Sequence, residues 1–241
     1  MKAALFIPCL TEHFYPQSGI SMTKILEYFG VEVEFVEDQT CCGQPAFNSG
    51  YREETIPVAE KFINLFQDKD YVVGPSGSCV TFVKCFYNEL NFNKNLIPPY
   101  KKLQKKIFEF TEFMVDVLKV DSIPGEFNHR VTYHDSCHPL RELKIHDQPR
   151  KLISSIKNID FVEMERADIC CGFGGTFSAK FEGVSVAMVE TKCRFIEESG
   201  AEFCVGSDSS CLMNIEGYLK KHNMKSKTMH VAELIAESMK L

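Results

Sequence analysis

The chain has 241 residues, 44% of them apolar, with a formal net charge of −6 and a pI near 5.7. That acidic balance argues against a surface for nucleic acid or anionic lipid, and no stretch approaches the ~20 apolar residues of a bilayer-spanning helix. The apolar start is too short for a signal-peptide core, so a cytoplasmic protein is expected. In that compartment 11 cysteines point to metal or redox chemistry rather than disulfides.

Residues 3–8 form a continuous apolar run, the pattern of a strand buried on both faces of a parallel sheet. A helix over about 20–29 follows, with Met22, Ile25, Leu26 and Phe29 on one face, and Gly30 stops it. Residues 31–36 return as a strand and run into Cys41-Cys42-Gly43. Val58, Phe62, Leu65 and Phe66 give the next helix its apolar face. A third strand at 71–73 ends in the turn 76–79, with a helix over 80–90 and an Asn- and Pro-rich loop over 91–99. A short strand at 107–110 then leads to a helix capped by Thr111 and reaching about Val120.

Residues 121–129, with Pro124-Gly125, read as a linker, and beyond it the order repeats. A strand at 131–134 ends near Cys137, and a helix covers 149–157. A strand at 160–164 leads to Cys170-Cys171-Gly172, and a helix over 183–198 is stopped by Gly200. A strand at 202–205 reaches Cys211, a helix runs to about His222, and a strand at 228–230 and helix over 231–239 close the chain. Strands alternating with helices predict an α/β protein of two pseudo-repeated domains, 1–121 and 129–241, each with a mainly parallel sheet. Both cysteine sets then fall in loops after the carboxyl ends of strands, where open α/β sheets place ligands.

The sets share one frame. Cys9 precedes Cys41 by 32 positions and Cys137 precedes Cys170 by 33, while Cys42 lies 37 before Cys79 and Cys171 lies 40 before Cys211. Cys9, Cys41, Cys42 and Cys79 thus offer four thiolates from three loops, as do Cys137, Cys170, Cys171 and Cys211. Four soft sulfur ligands suit an iron–sulfur cluster or tetrahedral zinc. Adjacent cysteines strain the bite around a single ion, whereas a cluster is wide enough for neighbouring thiolates to reach different irons. Iron–sulfur is the favoured expectation and zinc in one or both sets the alternative.

The doubled Cys-Cys-Gly at this spacing, each followed by a cysteine-bearing turn, resembles the cysteine-rich CCG domain family, from Cys9 to Cys211. That family includes the B subunit of heterodisulfide reductase and iron–sulfur subunits of glycolate oxidase and anaerobic glycerol-3-phosphate dehydrogenase. The resemblance implies a tandem Rossmann-like fold and clusters, 4Fe–4S in type and one or two in number, held by the eight cysteines. It implies electron transfer in a complex oxidising L-lactate, or a related 2-hydroxy acid, to the 2-oxo acid. The fuller family pattern ends in Cys-x-x-Cys, where this chain has Ser76 and Asp208 ahead of Cys79 and Cys211. That weakens a heterodisulfide-type thiol–disulfide reductase and leaves a four-ligand centre. The run C-x₂-C-x₂-C-x₃-C-P is absent, so a partner subunit is expected to carry ferredoxin-type clusters.

Around Cys137, His134, Asp135 and His138 are candidates to hydrogen-bond cluster sulfur or replace a ligand, against the plainer reading of a self-bonded turn. Arg141 reads as a surface arginine, although a carboxylate could use it. Gly172-Phe-Gly174-Gly175 is either an anion-binding nest of N–H groups or a close-packed turn. Residues 11–16 form a polar and aromatic rim after Cys9. Cys85, Cys193 and Cys204 lie outside the sets and are expected to act as small buried hydrophobes.

Overall fold

A computed structural model describes residues 1–241. The strands are β1 (Lys2–Leu5), β2 (Glu32–Phe35), β3 (Val72–Gly74) and β4 (Ile107–Glu109), then β5 (Arg130–Tyr133), β6 (Asp160–Phe161), β7 (Phe203–Gly206) and β8 (Lys227–His230). The helices of the first half are α1 (Cys9–Phe14), α2 (Pro16–Tyr28), α3 (Gln44–Asn48), α4 (Arg52–Phe66), α5 (Gly77–Cys85), α6 (Ile97–Leu103) and the single turn α7 (Phe110–Glu112). Those of the second are α8 (Asp147–Ser154), α9 (Thr176–Lys180), α10 (Glu182–Glu198), α11 (Ser209–Lys221) and α12 (Val231–Met239).

Each half is a four-stranded parallel sheet, ordered β2-β1-β3-β4 and β6-β5-β7-β8. The fold is therefore α/β with two Rossmann-like halves. In the first sheet the crossover to β2 leaves β1 one way and the crossover from β2 to β3 returns past it. Right-handed connections then put α2 and α4 on opposite faces. The register bears this out along β1: Ala3 and Leu5 join one core with α2, while Ala4 and Phe6 join another with Phe62 and Phe66 of α4. The winding of the sheet switches sides between β1 and β3, and between β5 and β7, so the loops after those parallel strands lie side by side.

The largest core belongs to both halves. Met22, Ile25 and Leu26 of α2 share it with Val231, Leu234 and Ile235 of α12. The connector 121–129 is not a loose tether, because Ile123 and Phe127 are buried in the same core. Asn91 to Pro99 differs from a plain loop, since Pro98 and Pro99 occupy the first turn of α6, where a missing N–H costs nothing. The helix expected over 111–120 is shorter: α7 passes into a wide turn at Phe113–Val117, with Glu109 as its buried N-cap.

Beside the α2–α12 packing, hydrogen bonds join the halves, among them a set where β3 meets α5 and β7 meets α11. Gly77 N–H donates to the Ser207 carbonyl at 3.1 Å, and Ser78 N–H donates to Asp208 Oδ2 at 2.7 Å. His230 Nε2 lies 2.7 Å from the Pro75 carbonyl, and Ser18 Oγ donates to Glu233 at 2.5 Å. Gly77 is required by close approach, since a Cβ there would sit 2.6 Å from Pro139 Cγ of the other half. Gly77→Ala should therefore lower unfolding stability by about 1–3 kcal/mol through overpacking. Urea denaturation measures this, and an unchanged midpoint would show that the halves separate freely.

Candidate metal centre

Each cysteine is placed by a short local rule. Pro8, extended, stands just before α1 as its N-cap, putting Cys9 at the first helical position. Gly43 (φ +92°) and Gly172 (φ +84°) turn the chain sharply after the paired cysteines. Both turns are also crowded: a Cβ would meet Thr55 Cγ2 at 3.0 Å in the first half and the Ser185 carbonyl at 2.7 Å in the second. Cys79 and Cys211 lie in the first turns of α5 and α11, whose N-termini favour negative charge.

These rules bring all eight cysteines onto one cavity of about 150 Å³ between the halves. Cys9 Sγ lies 3.7 Å from Cys41 Sγ. Gly43 N–H donates to Cys41 Sγ and Gly172 N–H to Cys170 Sγ, both at 3.4 Å. Tyr87 Oη and Asn214 Nδ2 hold the Cys42 and Cys171 carbonyls at 2.7 and 2.8 Å, fixing each loop from behind. The Cys9–Cys41 separation matches the edge of a sulfur tetrahedron with metal–sulfur bonds of about 2.3 Å, ~3.8 Å. The donor set fits a thiophilic metal centre in each half.

The sulfurs divide their protons in the same way in both halves. Cys41 is pushed down to about 3 by hydrogen bonds from Cys42 and Cys9, aided by the backbone N–H groups of Gly43 and Cys42. Cys170 is pushed down to about 2 by Cys137 and Cys171, with help from Gly172 N–H. Cys9 and Cys137 move up, first because each donates to that thiolate and second because burial disfavours charge. Cys42 and Cys171 move up through bonds to the same thiolate, then to Cys79 and Cys211.

The polar candidates around Cys137 occupy different places. Asp135 is buried in a bidentate pair with Arg150 (2.8 and 2.7 Å), which also holds Glu163. His138 lines the cavity, with Nδ1 3.1 Å from Gln44 Nε2 of the other half. His134 is fully enclosed, and burial followed by the nearby Lys192 charge pushes it down to about 3. Arg141 is exposed and does not line the cavity. Gly174 (φ +54°) and Gly175 (φ +62°) do line it. In the rim after Cys9, Thr11 is buried against Ser209 while Phe14 is exposed. Cys193 and Cys204 are buried in the outer core of the second half, and Cys85 is half-buried. Lys192, wholly buried, was missed by sequence reading because its helix otherwise has an ordinary apolar face; Nζ donates to the Arg166 and Ala167 carbonyls at 3.1 and 3.0 Å.

Two Rossmann-like halves, each presenting four thiols at its strand ends, define a tandem cysteine-rich protein. The family profile described as CCG, cysteine-rich domain, matches residues 3–84 and again 131–216. Lactate utilization protein A of Geobacillus sp. (strain WCH70) is 43% identical over 235 residues, covering 98% of this chain and 99% of its own length. The protein of the same name from Exiguobacterium sp. (strain ATCC BAA-1283 / AT1b) is 44% identical over 241 residues, covering 99% and 98%. The chain belongs to the lactate utilization protein A family. The fold also matches a hypothetical protein from Helicobacter pylori at a TM-score of 0.70 and 13% identity, over 99% of this chain and 49% of that one. This chain thus spans about half of that structure. No helix is long and apolar enough to cross a membrane.

In metal-free, reduced protein, Cys41 and Cys170 should be the first thiols alkylated by iodoacetamide at about pH 6, where an ordinary thiol of pKa ≈ 8.5 is protonated. Cys193 and Cys204, which burial pushes up to about 12, should stay unmodified. Peptide mass spectrometry gives the order, and equal labelling of all eleven cysteines would refute the proton arrangement.

Proposed function

We propose that this chain is an iron–sulfur electron-transfer subunit of a cytoplasmic complex that oxidises L-lactate, or a related 2-hydroxy acid, to the 2-oxo acid. One observation carries the reading: two matched thiol quartets open on a single cavity, each held by the same glycine turn and helix end. The names of the relatives place them in lactate utilization, which supports the substrate class.

Iron–sulfur centres, when bound, supply one-electron transfer between partners. The chain's own work is to hold them. Cys9, Cys41, Cys42 and Cys79 would grip one centre, and Cys137, Cys170, Cys171 and Cys211 the other. The Gly43 and Gly172 N–H groups and the starts of α5 and α11 temper the negative charge on sulfur. Partner subunits would supply the substrate chemistry and the ferredoxin-type clusters whose cysteine run this chain lacks.

The competing reading, zinc in one or both halves as a scaffold, draws on the 3.7 Å sulfur spacing, which also suits one tetrahedral ion. A thiol–disulfide reductase fits less well, because Asp208, at the place of a fifth thiol, is tied to Ser78 and Ser210.

Protein purified without oxygen should contain iron and acid-labile sulfide and show broad visible charge-transfer absorption. Cys42→Ser and Cys171→Ser should each roughly halve the metal content by emptying one half. Zinc without sulfide would sink the electron-transfer reading, and metal content unchanged by either substitution would remove that cysteine from its ligand set.

A further inference from the structure

Nearly every polar side chain around the second half's thiols already has a partner. Asp208 accepts from Ser78 N–H at 2.7 Å and from Ser210 N–H at 3.2 Å. Both oxygens of Asp135 are taken by Arg150, His138 meets Gln44, and Lys192 is tied to two carbonyls. Two side chains remain. Both ring nitrogens of His134, and Ser136 Oγ, are buried without a hydrogen bond. Leaving such groups unsatisfied costs their full desolvation penalty, so their burial calls for a ligand.

His134 has the chemistry and the position for one. A ring nitrogen of His134 and the sulfurs of Cys171 and Cys211 all lie within 4.8 Å of one another. Imidazole nitrogen and thiolate sulfur are compatible ligands for zinc and for iron–sulfur centres. The first half offers no such donor. Phe6 N–H donates to the Val73 carbonyl at 2.9 Å as His134 N–H does to the Val205 carbonyl at 2.8 Å, so the two residues occupy equivalent places, each three before its cysteine. Phe6 there packs edge-on against Phe62, with ring centroids 4.8 Å apart. Phe62 stands seven residues past Thr55, and Lys192 seven past Ser185, the residues crowding Gly43 and Gly172. An aromatic pair beneath one quartet is thus replaced by a histidine and a lysine beneath the other.

We propose that His134 is a nitrogen ligand of the second half's metal centre, bound beside Cys171 and Cys211, so that the two centres differ in chemistry. The inference rests on the reading that the thiols hold metal, and not on which metal. Ser136 Oγ, enclosed next to it, would complete the polar side of that site.

The test uses the full chain purified without oxygen, with isotopically labelled histidine, and reads nitrogen coupling to the reduced centre by pulsed EPR. If the protein carries zinc, the same coupling is read after exchange for Co(II). The expected result is a coupling of directly bound nitrogen that persists in His138→Gln and vanishes in His134→Gln. Metal content in His134→Gln should fall toward that of a chain with one filled half. No coupling in the unsubstituted protein would overturn the proposal, as would a coupling that survives His134→Gln or disappears in His138→Gln. Should His134→Gln fail to fold, the labelled unsubstituted chain and His138→Gln still decide it, since these two histidines are the ones beside the thiols. Zinc without sulfide defeats the electron-transfer reading yet leaves the Co(II) measurement to judge His134.

Discussion

Eight sulfurs around one cavity of about 150 Å³ set a charge problem that the rest of the structure is built to solve. Two thiolates about 4 Å apart repel by roughly 4 kcal/mol at the effective dielectric of a protein surface. With an overall charge of −6, the chain has no general excess of cations to relieve that. In each quartet one sulfur, Cys41 or Cys170, instead has its proton affinity lowered by its neighbours and accepts a glycine N–H. A metal ion held by the quartet would take the place of the thiol protons, so its affinity there would rise with pH.

Holding that arrangement requires a rigid frame. The paired thiols Cys41-Cys42 and Cys170-Cys171 sit on loops and others at helix starts, and these segments are pinned from both sides. Tyr87 and Asn214 bind the carbonyls of Cys42 and Cys171 from behind. In front, the turns at 75–78 and 207–210 are hydrogen-bonded to each other across the halves. The shared core beneath them, with α2 against α12, keeps the two sheets from rocking independently. The two thiol sets are therefore fixed relative to one another, a precondition for any transfer between centres in the two halves.

Much of this was legible in the sequence. The continuous apolar runs gave the parallel strands, and the doubled Cys-Cys-Gly located the thiol loops at their carboxyl ends. What periodicity could not reveal was docking. The turns that join the halves are made of Ser, Gly and Asp, residues that read locally as ordinary turn formers. Their role depends on partners about 130 positions away, such as Asp208 for Ser78. The same limit hid the environment of His134: the residue stood out beside Cys137, but whether a histidine is satisfied depends on neighbours from other elements. Pro98-Pro99 misled in the opposite direction, since proline marks a loop or the first turn of a helix equally well.

The difference between the halves follows from the repeat itself. Duplication supplies two equivalent thiol frames, and if their surroundings were equal too, the two centres would be interchangeable and neither would be a preferred source or sink of electrons. The backbone and cysteines of the two halves match closely, down to the hydrogen bonds of Phe6 and His134. The side chains beneath them do not: Phe6 with Phe62 on one side, His134 with a buried Lys192 on the other. A buried cation and an imidazole beside sulfur stabilise added negative charge, while a phenyl pair gives no comparable stabilisation. Under the proposed electron-transfer role, the second half would be the better home for an electron, and the asymmetry of two buried side-chain pairs would give direction to an otherwise symmetrical frame.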